Sequence, residues 1–428
     1  MTARSSPAEA IVVIGAGPAG ATAAWALASS GVRVRLLDRS SFPRNKPCGG
    51  GISMRLLRRF PHVAREVGRI TTHEISRLYL EGPTGTSAVI ESDAPAALMI
   101  RRVEFDALLV SLAVEAGAEL VPGADVVQAC QDAHCVTLVA RDGRRFTAPI
   151  AIAADGVHSV VARRLGLNPG WPASSIALDM MEETPREQLR DIDPSTLWVL
   201  YGYEPRIAIR NACPEGYAYI FPKRDHVNIG VGYVLSYFRN EVADVPYDLQ
   251  RGFIDRLRER GIVVGDSVRE HFTPYLLPVG GPLRDPGRGR VLIAGDAGGF
   301  VNAFTAEGIY YAMVSGELAA RAVLAAAAQP AWLARVYRRA CDDEIGCELR
   351  DSVLIRNYLF ADRRRIAKVI DGANRERVIT RLILDFTTGR RSYCDVRRRM
   401  LARAPLLAAR LLTERTAGRA RSRVGSTK

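Results

Sequence analysis

Gly15, Gly17 and Gly20 stand in the spacing GxGxxG directly after the apolar run Ile11–Ile14, and Asp38 closes a second apolar run eighteen residues beyond Gly20. These types in this order suit a dinucleotide. The first glycine permits a tight turn, the second lets backbone approach a pyrophosphate, and the third lets a helix pack on the strand. The N–H groups and dipole of that helix then face the phosphates, and a carboxylate at Asp38 can accept hydrogen bonds from ribose hydroxyls. A second nucleotide signal is VLIAGDAGGF, which puts Asp296 at the mouth of a strand, with a helix beginning near Gly308. Such an aspartate can bond a ribityl hydroxyl, and the helix N-terminus can stabilise negative charge at the N1/O2 edge of a reduced flavin. The two signals together favour FAD over NAD.

Other residues carry chemistry with less pattern behind them. Cys48 sits in PRNKPCGGGIS, where its thiol is either a small buried group or a redox or proton-transfer group. Tyr217, Tyr219 and Phe221 alternate along one strand face, as core or as the wall of an apolar tunnel. Gly230 and Gly232 leave one face of the following strand nearly bare, with room for substrate or flavin. His158 and His226 fall in loop and turn sequence and are poor candidates for an acid.

These residues require a strand–turn–helix–strand unit over residues 11–38, with a helix over 102–115 carrying Phe105, Leu108, Leu109 and Leu112 on one face. Asp142-Gly143 marks a hairpin between residues 136–139 and 145–148. Strands are expected over 176–181, 197–203, 206–210, 217–221 and 227–234, then a core strand over 290–294, a long helix over 309–327 and only helix beyond 331. The expected architecture is α/β: a glutathione-reductase-like FAD-binding Rossmann domain from residues 1–70, 100–170 and 286–335, an inserted antiparallel-sheet substrate domain from 71–99 and 171–285, and a helical, basic C-terminal region, 336–428.

With 428 residues, 48% hydrophobic and 25% charged, the chain has the composition of an ordinary multidomain globular protein. No signal peptide and no apolar run of spanning length stands out, so a cytoplasmic location is expected. Seven cysteines without CxxC pairs argue against a disulfide framework or a zinc site. Residues 351–428 hold 20 Lys and Arg against 7 Asp and Glu, a net +13 that equals the charge of the whole chain; the other 39 basic and 39 acidic residues cancel. The tail lacks interleaved aromatics, so nucleic acid is not expected. An anionic membrane surface is, through residues 390–428, where Arg397–Arg399 adjoin Leu401, Leu406, Leu407 and Leu411.

The GxGxxG, the Asp155-Gly156 of ADGVHS and the Gly295-Asp296 pair together resemble the para-hydroxybenzoate-hydroxylase-type flavoproteins. Within that superfamily, PRNKPCGGGIS and GYAYIFPKRDHVNIGVG resemble geranylgeranyl reductases, over about residues 10–330. The resemblance implies FAD and reduction of double bonds in an isoprenoid chain by hydride from the reduced flavin. It also implies roles: Ala19 and Gly20 at the pyrophosphate, Asp38 at the adenosine ribose, Val126 at the adenine and Arg102 at the phosphate and ribityl region. Cys48, Gly49, Gly51, Asp296, Gly308 and Ile309 would line the flavin, with Cys48 the candidate catalytic residue. The family's substrate motif, YxWxFP followed by GxG, falls on Tyr217, Phe221, Pro222, Gly230 and Gly232, with Tyr219 where Trp is usual. In the flavin loop Ala303 and Ala306 replace the usual Pro and Gly. No second GxGxxG is present, so the reductant, NADPH or a reduced carrier protein, would dock without a Rossmann domain of its own. A monomer is expected. The rival reading on the same fold is an NAD(P)H-dependent FAD monooxygenase acting on an aromatic or polyketide-like substrate; a flavin halogenase lacks its WxWxIP signature here.

Overall fold

The computed structural model describes residues 10–205, 212–326, 329–387 and 398; the strand expected over 206–210 and the remainder of the 390–428 segment lie outside them. A six-stranded sheet runs in the order Gly287–Arg288, Val291–Ile293, Ala151–Ala153, Ile11–Ile14, Val34–Leu37, Glu119–Val121. Its pairs are parallel except for the short edge hairpin at Gly287–Arg288. Parallel strands covered on both faces read as unbroken apolar runs, and Ile11–Ile14 divides its side chains between two cores. Ile11 and Val13 pack with the helices Pro18–Ser29, Arg102–Glu115 and Ile309–Ala325. Val12 and Ile14 pack on the other side with the three-stranded sheet of Val126–Gln131, Val136–Ala140 and Arg145–Ala148.

Local sequence explains the first crossover. Pro18 starts its helix at a position where the missing N–H is not needed, and Gly31, at φ 79, follows its end. The Ile309–Ala325 helix lies against it so closely that a Cβ on Gly316 would come within 2.1 Å of the Ala19 carbonyl.

The second sheet has seven strands, in the order Phe272–Pro278, Ile176–Pro185, His226–Val234, Gly216–Pro222, Thr196–Tyr201, Arg77–Glu81, Ser87–Glu91. It is antiparallel but for one parallel pair, Thr196–Tyr201 with Arg77–Glu81, so the expectation of a purely antiparallel sheet needs that amendment. Leu249, Phe253, Ile254 and Leu257 of the Pro246–Glu259 helix cover part of one face.

The C-terminal helices are integrated with this body. Phe360 ends Cys347–Phe360, and Ile366, Ile370 and Ala373 project from Arg363–Arg375 into a core shared with Leu78, Leu80 and Ile90 of the second sheet. Glu348 ties the first of these helices to the nucleotide region, accepting bonds from Arg55 at 3.0 Å and from the Tyr311 hydroxyl at 2.9 Å. Cys48, Cys130, Cys135, Cys213 and Cys341 are free thiols, whereas Cys347 is disulfide-bonded. Among the described residues no helix is long and apolar enough to cross a membrane.

Candidate active site

A cavity of about 540 Å³ opens at the carboxyl ends of the parallel strands, where Ile14, Ala154 and Gly295 meet, the place an open α/β sheet offers a ligand. The glycines divide their work as their spacing implies. Gly15 has φ 92, and a Cβ there would lie 2.3 Å from the Ala154 carbonyl. A Cβ on Gly20 would lie 1.8 Å from the Gly15 carbonyl, so that position is spent on seating the helix. Gly17 is bare toward the cavity, with only the tip of Arg44 at 3.7 Å. Asp38 holds the turn through its Oδ2, which accepts the Ala16 N–H at 2.7 Å, and its Oδ1 accepts the Ser40 N–H at 2.8 Å. An ionised carboxylate keeps further lone pairs for ribose hydroxyls.

Gly17, Ala19, Asp38, Val126, Arg102, Asp296, Gly308 and Ile309 all line this cavity. Gly308 precedes the Ile309–Ala325 helix with no side-chain cap and no acid in the first turn, which leaves N–H groups free to meet an anionic flavin edge. Arg102 is buried and forks onto Asp106 at 2.6 and 2.8 Å. The Asp106 carboxylate and its hydrogen bonds push the guanidinium's pKa up despite burial. A bare cradle, a carboxylate bordering the cavity and an uncapped helix end together fit FAD.

The second arm of the cavity runs along the seven-stranded sheet. Tyr217, Tyr219 and Phe221 line it, their rings 6.3 and 4.5 Å apart in sequence. Leu197, Leu277, Val279, Phe304 and Phe360 complete an apolar wall. Cys48, Gly49 and Gly51 line the same cavity. A Cβ on Gly49 would strike the Phe221 ring at 2.7 Å. Three of the expected site residues lie outside the lining: Gly20 within the first helix against the Gly15 carbonyl, Pro222 within the strand, and Gly230 beneath the Tyr219 ring. The room expected at Gly230 is thus filled by a protein side chain.

Several lining residues were not singled out in the sequence. Gly50, at φ 75, makes the sharp turn of the CGGG loop against the Ile100 carbonyl, 2.1 Å from an ideal Cβ. Lys46 sits over the Tyr275 ring at 3.2 Å, and its amine is lowered to about 8 by burial and by Arg102. Asp179 is raised to about 7 by burial, against a Tyr219 hydrogen bond and Lys46. The PRNKPC motif could have pointed to Lys46. Asp179 has no motif and reads as one polar residue in a strand.

Ala306 adopts φ 57, the left-handed region that a glycine would occupy without strain. Its N–H reaches the Asn302 carbonyl at 2.9 Å, and Asn302 Oδ1 accepts from Phe304 and Thr305, so the loop is held there by its own bonds. An L-residue in this region costs about 1–2 kcal/mol, and glycine's added chain entropy returns roughly half of that. Ala306→Gly is therefore expected to raise the urea midpoint, by about 0.5 kcal/mol of stability. A lowered midpoint would contradict the strain.

The fold and cavity define an FAD-dependent oxidoreductase, and residues 8–229 match the FAD binding domain family. The chain is 33% identical to digeranylgeranylglycerophospholipid reductase 1 of Methanopyrus kandleri, over 72% of this chain and 78% of that protein. It is 32% identical to geranylgeranyl diphosphate reductase of Rhodobacter capsulatus, over 73% and 74%. The crystal structure of a geranylgeranyl bacteriochlorophyll reductase-like protein from Thermoplasma acidophilum shares the fold at a TM-score of 0.74, with 18% identity and coverage of 92% and 99%. The chain belongs to the geranylgeranyl reductase family of FAD-dependent oxidoreductases.

Proposed function

We propose that the protein saturates carbon–carbon double bonds of an isoprenoid chain. The observation that carries this reading is the continuity of one cavity, from the glycine cradle to an aromatic and aliphatic arm walled by Tyr217, Phe304, Phe360, Leu277 and Val279. A polyprenyl tail offers no polar handle along its length, and a groove of this lining recognises it by shape and desolvation. When bound and reduced, FAD supplies the hydride. The chain's own part is positional. Gly15 makes the tight turn against Ala154, Gly17 keeps backbone open for the pyrophosphate, Asp38 holds the turn, and the free helix end at Gly308 would stabilise negative charge on the flavin. Phe221 packs on Gly49, in the loop expected to line the flavin, and would present its ring to the alkene there.

Two relatives named as reductases of geranylgeranyl compounds support this substrate class. For the reductant, NADPH or a reduced carrier protein docking transiently fits a chain with one GxGxxG. The basic segment 390–428 would hold the enzyme peripherally on an anionic leaflet, where such substrates reside. The test is hydrogenation of isoprenoids by the purified, FAD-loaded protein. Oxygen uptake and NADPH oxidation stimulated by a phenol would instead favour the monooxygenase.

A further inference from the structure

We propose that Tyr219 and Asp179 form a proton-donating pair built across three strands, which delivers a solvent-derived proton to the alkene. The inference rests on the reductase reading above. The sheet register places Tyr219 opposite Gly230, and Asp179 opposite Gly232 on the strand beyond. From its own strand Tyr219 reaches over the middle one: its hydroxyl lies 3.1 and 3.2 Å from the two carboxylate oxygens of Asp179. Neighbouring strands are about 4.8 Å apart, so the ring must cross the middle strand almost in contact with its backbone. That is what Gly230 allows. A Cβ there would lie 2.5 Å from both Cζ and the hydroxyl oxygen of Tyr219. Gly232, whose Cβ would lie 3.8 Å from Asp179 Oδ1, leaves the carboxylate uncovered from the same side. In this chain the bare face of GVG is thus the gap through which a tyrosine meets an acid.

Both side chains are buried yet border the cavity. The Tyr219 ring would be 3.8 Å from a Cβ on Gly49, in the loop expected to line the flavin. The groups facing the pair are Lys46 and Cys48 from that loop, Tyr217 from the same strand as Tyr219, and Tyr275, the cross-strand partner of Asp179. Burial raises the Tyr219 phenol well above its usual value, so it stays protonated and its phenolate cannot persist. Asp179, raised to about 7, holds a proton in the neutral range and can replace the one Tyr219 gives up.

One alkene carbon accepts a hydride, two electrons with a proton, from the reduced flavin. The O–H bond of Tyr219 breaks and its proton forms the C–H bond at the other carbon. The Asp179 carboxyl passes its proton to the Tyr219 oxygen and is reloaded from solvent. Tyr219 is then a catalytic residue, and Asp179 and Gly230 act through it.

The experiment compares wild type with Tyr219→Phe, Asp179→Asn and Gly230→Ala, all FAD-loaded. Infrared spectra between about pH 5 and 9 should show a protonated-carboxyl band in wild type that fades as pH rises through about 7. The band should be missing in Asp179→Asn and displaced in Tyr219→Phe and Gly230→Ala. In single turnover with chemically reduced flavin and geranylgeranyl diphosphate, Tyr219→Phe should slow alkene reduction by about 100-fold. Flavin content should stay normal. The wild-type rate should fall above about pH 7, and Gly230→Ala should lose that dependence although both members of the pair remain. No titrating band in wild type, or a wild-type rate and pH profile in Tyr219→Phe, overturns the pair. A band that behaves as described in a protein that reduces no isoprenoid supports the pair and overturns the reductase reading.

Discussion

Arg102→Met is expected to yield a protein that is colourless after purification and unfolds at distinctly lower urea. Arg102 opens the Arg102–Glu115 helix, is 7% exposed, and supplies both hydrogen bonds of a fork to Asp106, whose side chain is fully buried. Methionine fills much of the same volume but leaves the carboxylate with Arg44 at 3.2 Å as its charged partner. Breaking a buried ion pair on one side costs about 3–5 kcal/mol. Arg44 compensates in part, so about 3 kcal/mol is the expected loss. The same substitution removes a cation from the cavity wall beside the expected flavin phosphates, and FAD affinity should fall with it. Arg102→Lys should sit between, because an ammonium keeps the charge and loses the fork. A yellow Arg102→Met protein with an unchanged midpoint would contradict both roles.

The second large effect separates folding from binding at the glycine turn. In Gly20→Val the Cβ would fall 1.8 Å from the Gly15 carbonyl and 3.3 Å from a Val13 methyl. Both neighbours belong to the turn and strand that the Pro18–Ser29 helix must seat against, so one of them has to move. Overpacking of this kind costs about 1–3 kcal/mol, and moving the turn also displaces the N–H groups that would meet a pyrophosphate. Stability and FAD binding should fall together, with FAD affinity down by at least about 100-fold, some 2.7 kcal/mol. In Gly17→Ala the added methyl meets only Arg44 Nη2 at 3.7 Å. That variant should fold as wild type and bind FAD poorly, because only the approach of the ligand is obstructed. Isothermal titration with FAD and urea unfolding of both variants read the two effects apart. Equal stability loss in the two would mean that Gly17 is structural as well.

The contrast between these glycines also explains what sequence could and could not convey. Spacing alone assigned separate tasks to Gly15, Gly17 and Gly20, because each task follows from local backbone geometry within one strand–turn–helix unit. The paired nucleotide signals at Asp38 and Asp296 were legible for the same reason. Gly230 was not. Its bareness was visible, but what fills the space depends on the register of three strands, and that register brings Tyr219 and Asp179 together from forty residues apart. Asp179 itself carries no motif, and its raised carboxyl arises from burial that only the folded sheet creates. The C-terminal helices posed a similar problem. Their arginines dominate the composition, while Phe360, Ile366 and Ile370 pack into the body's core and Glu348, Arg356 and Arg363 add polar bonds to it. Charge was conspicuous and the apolar face was not, so a region read as a basic appendage supplies Arg356 and Phe360 to the cavity wall.

An isoprenoid alkene held against a reduced flavin in this cavity should be hydrogenated. The most direct measurement is anaerobic: purified protein, FAD reduced chemically so that no natural donor is required, and a panel of geranylgeranyl diphosphate, a digeranylgeranyl glycerophospholipid and a menaquinone, with products read by mass spectrometry. At least one of the three is expected to gain two hydrogens per double bond, both of them deuterium when the reaction is run in deuterated water, because the hydrogen on N5 of a chemically reduced flavin also comes from solvent. Recovery of all three unchanged, with oxygen inserted into an aromatic substrate when air and NADPH are supplied, would contradict it.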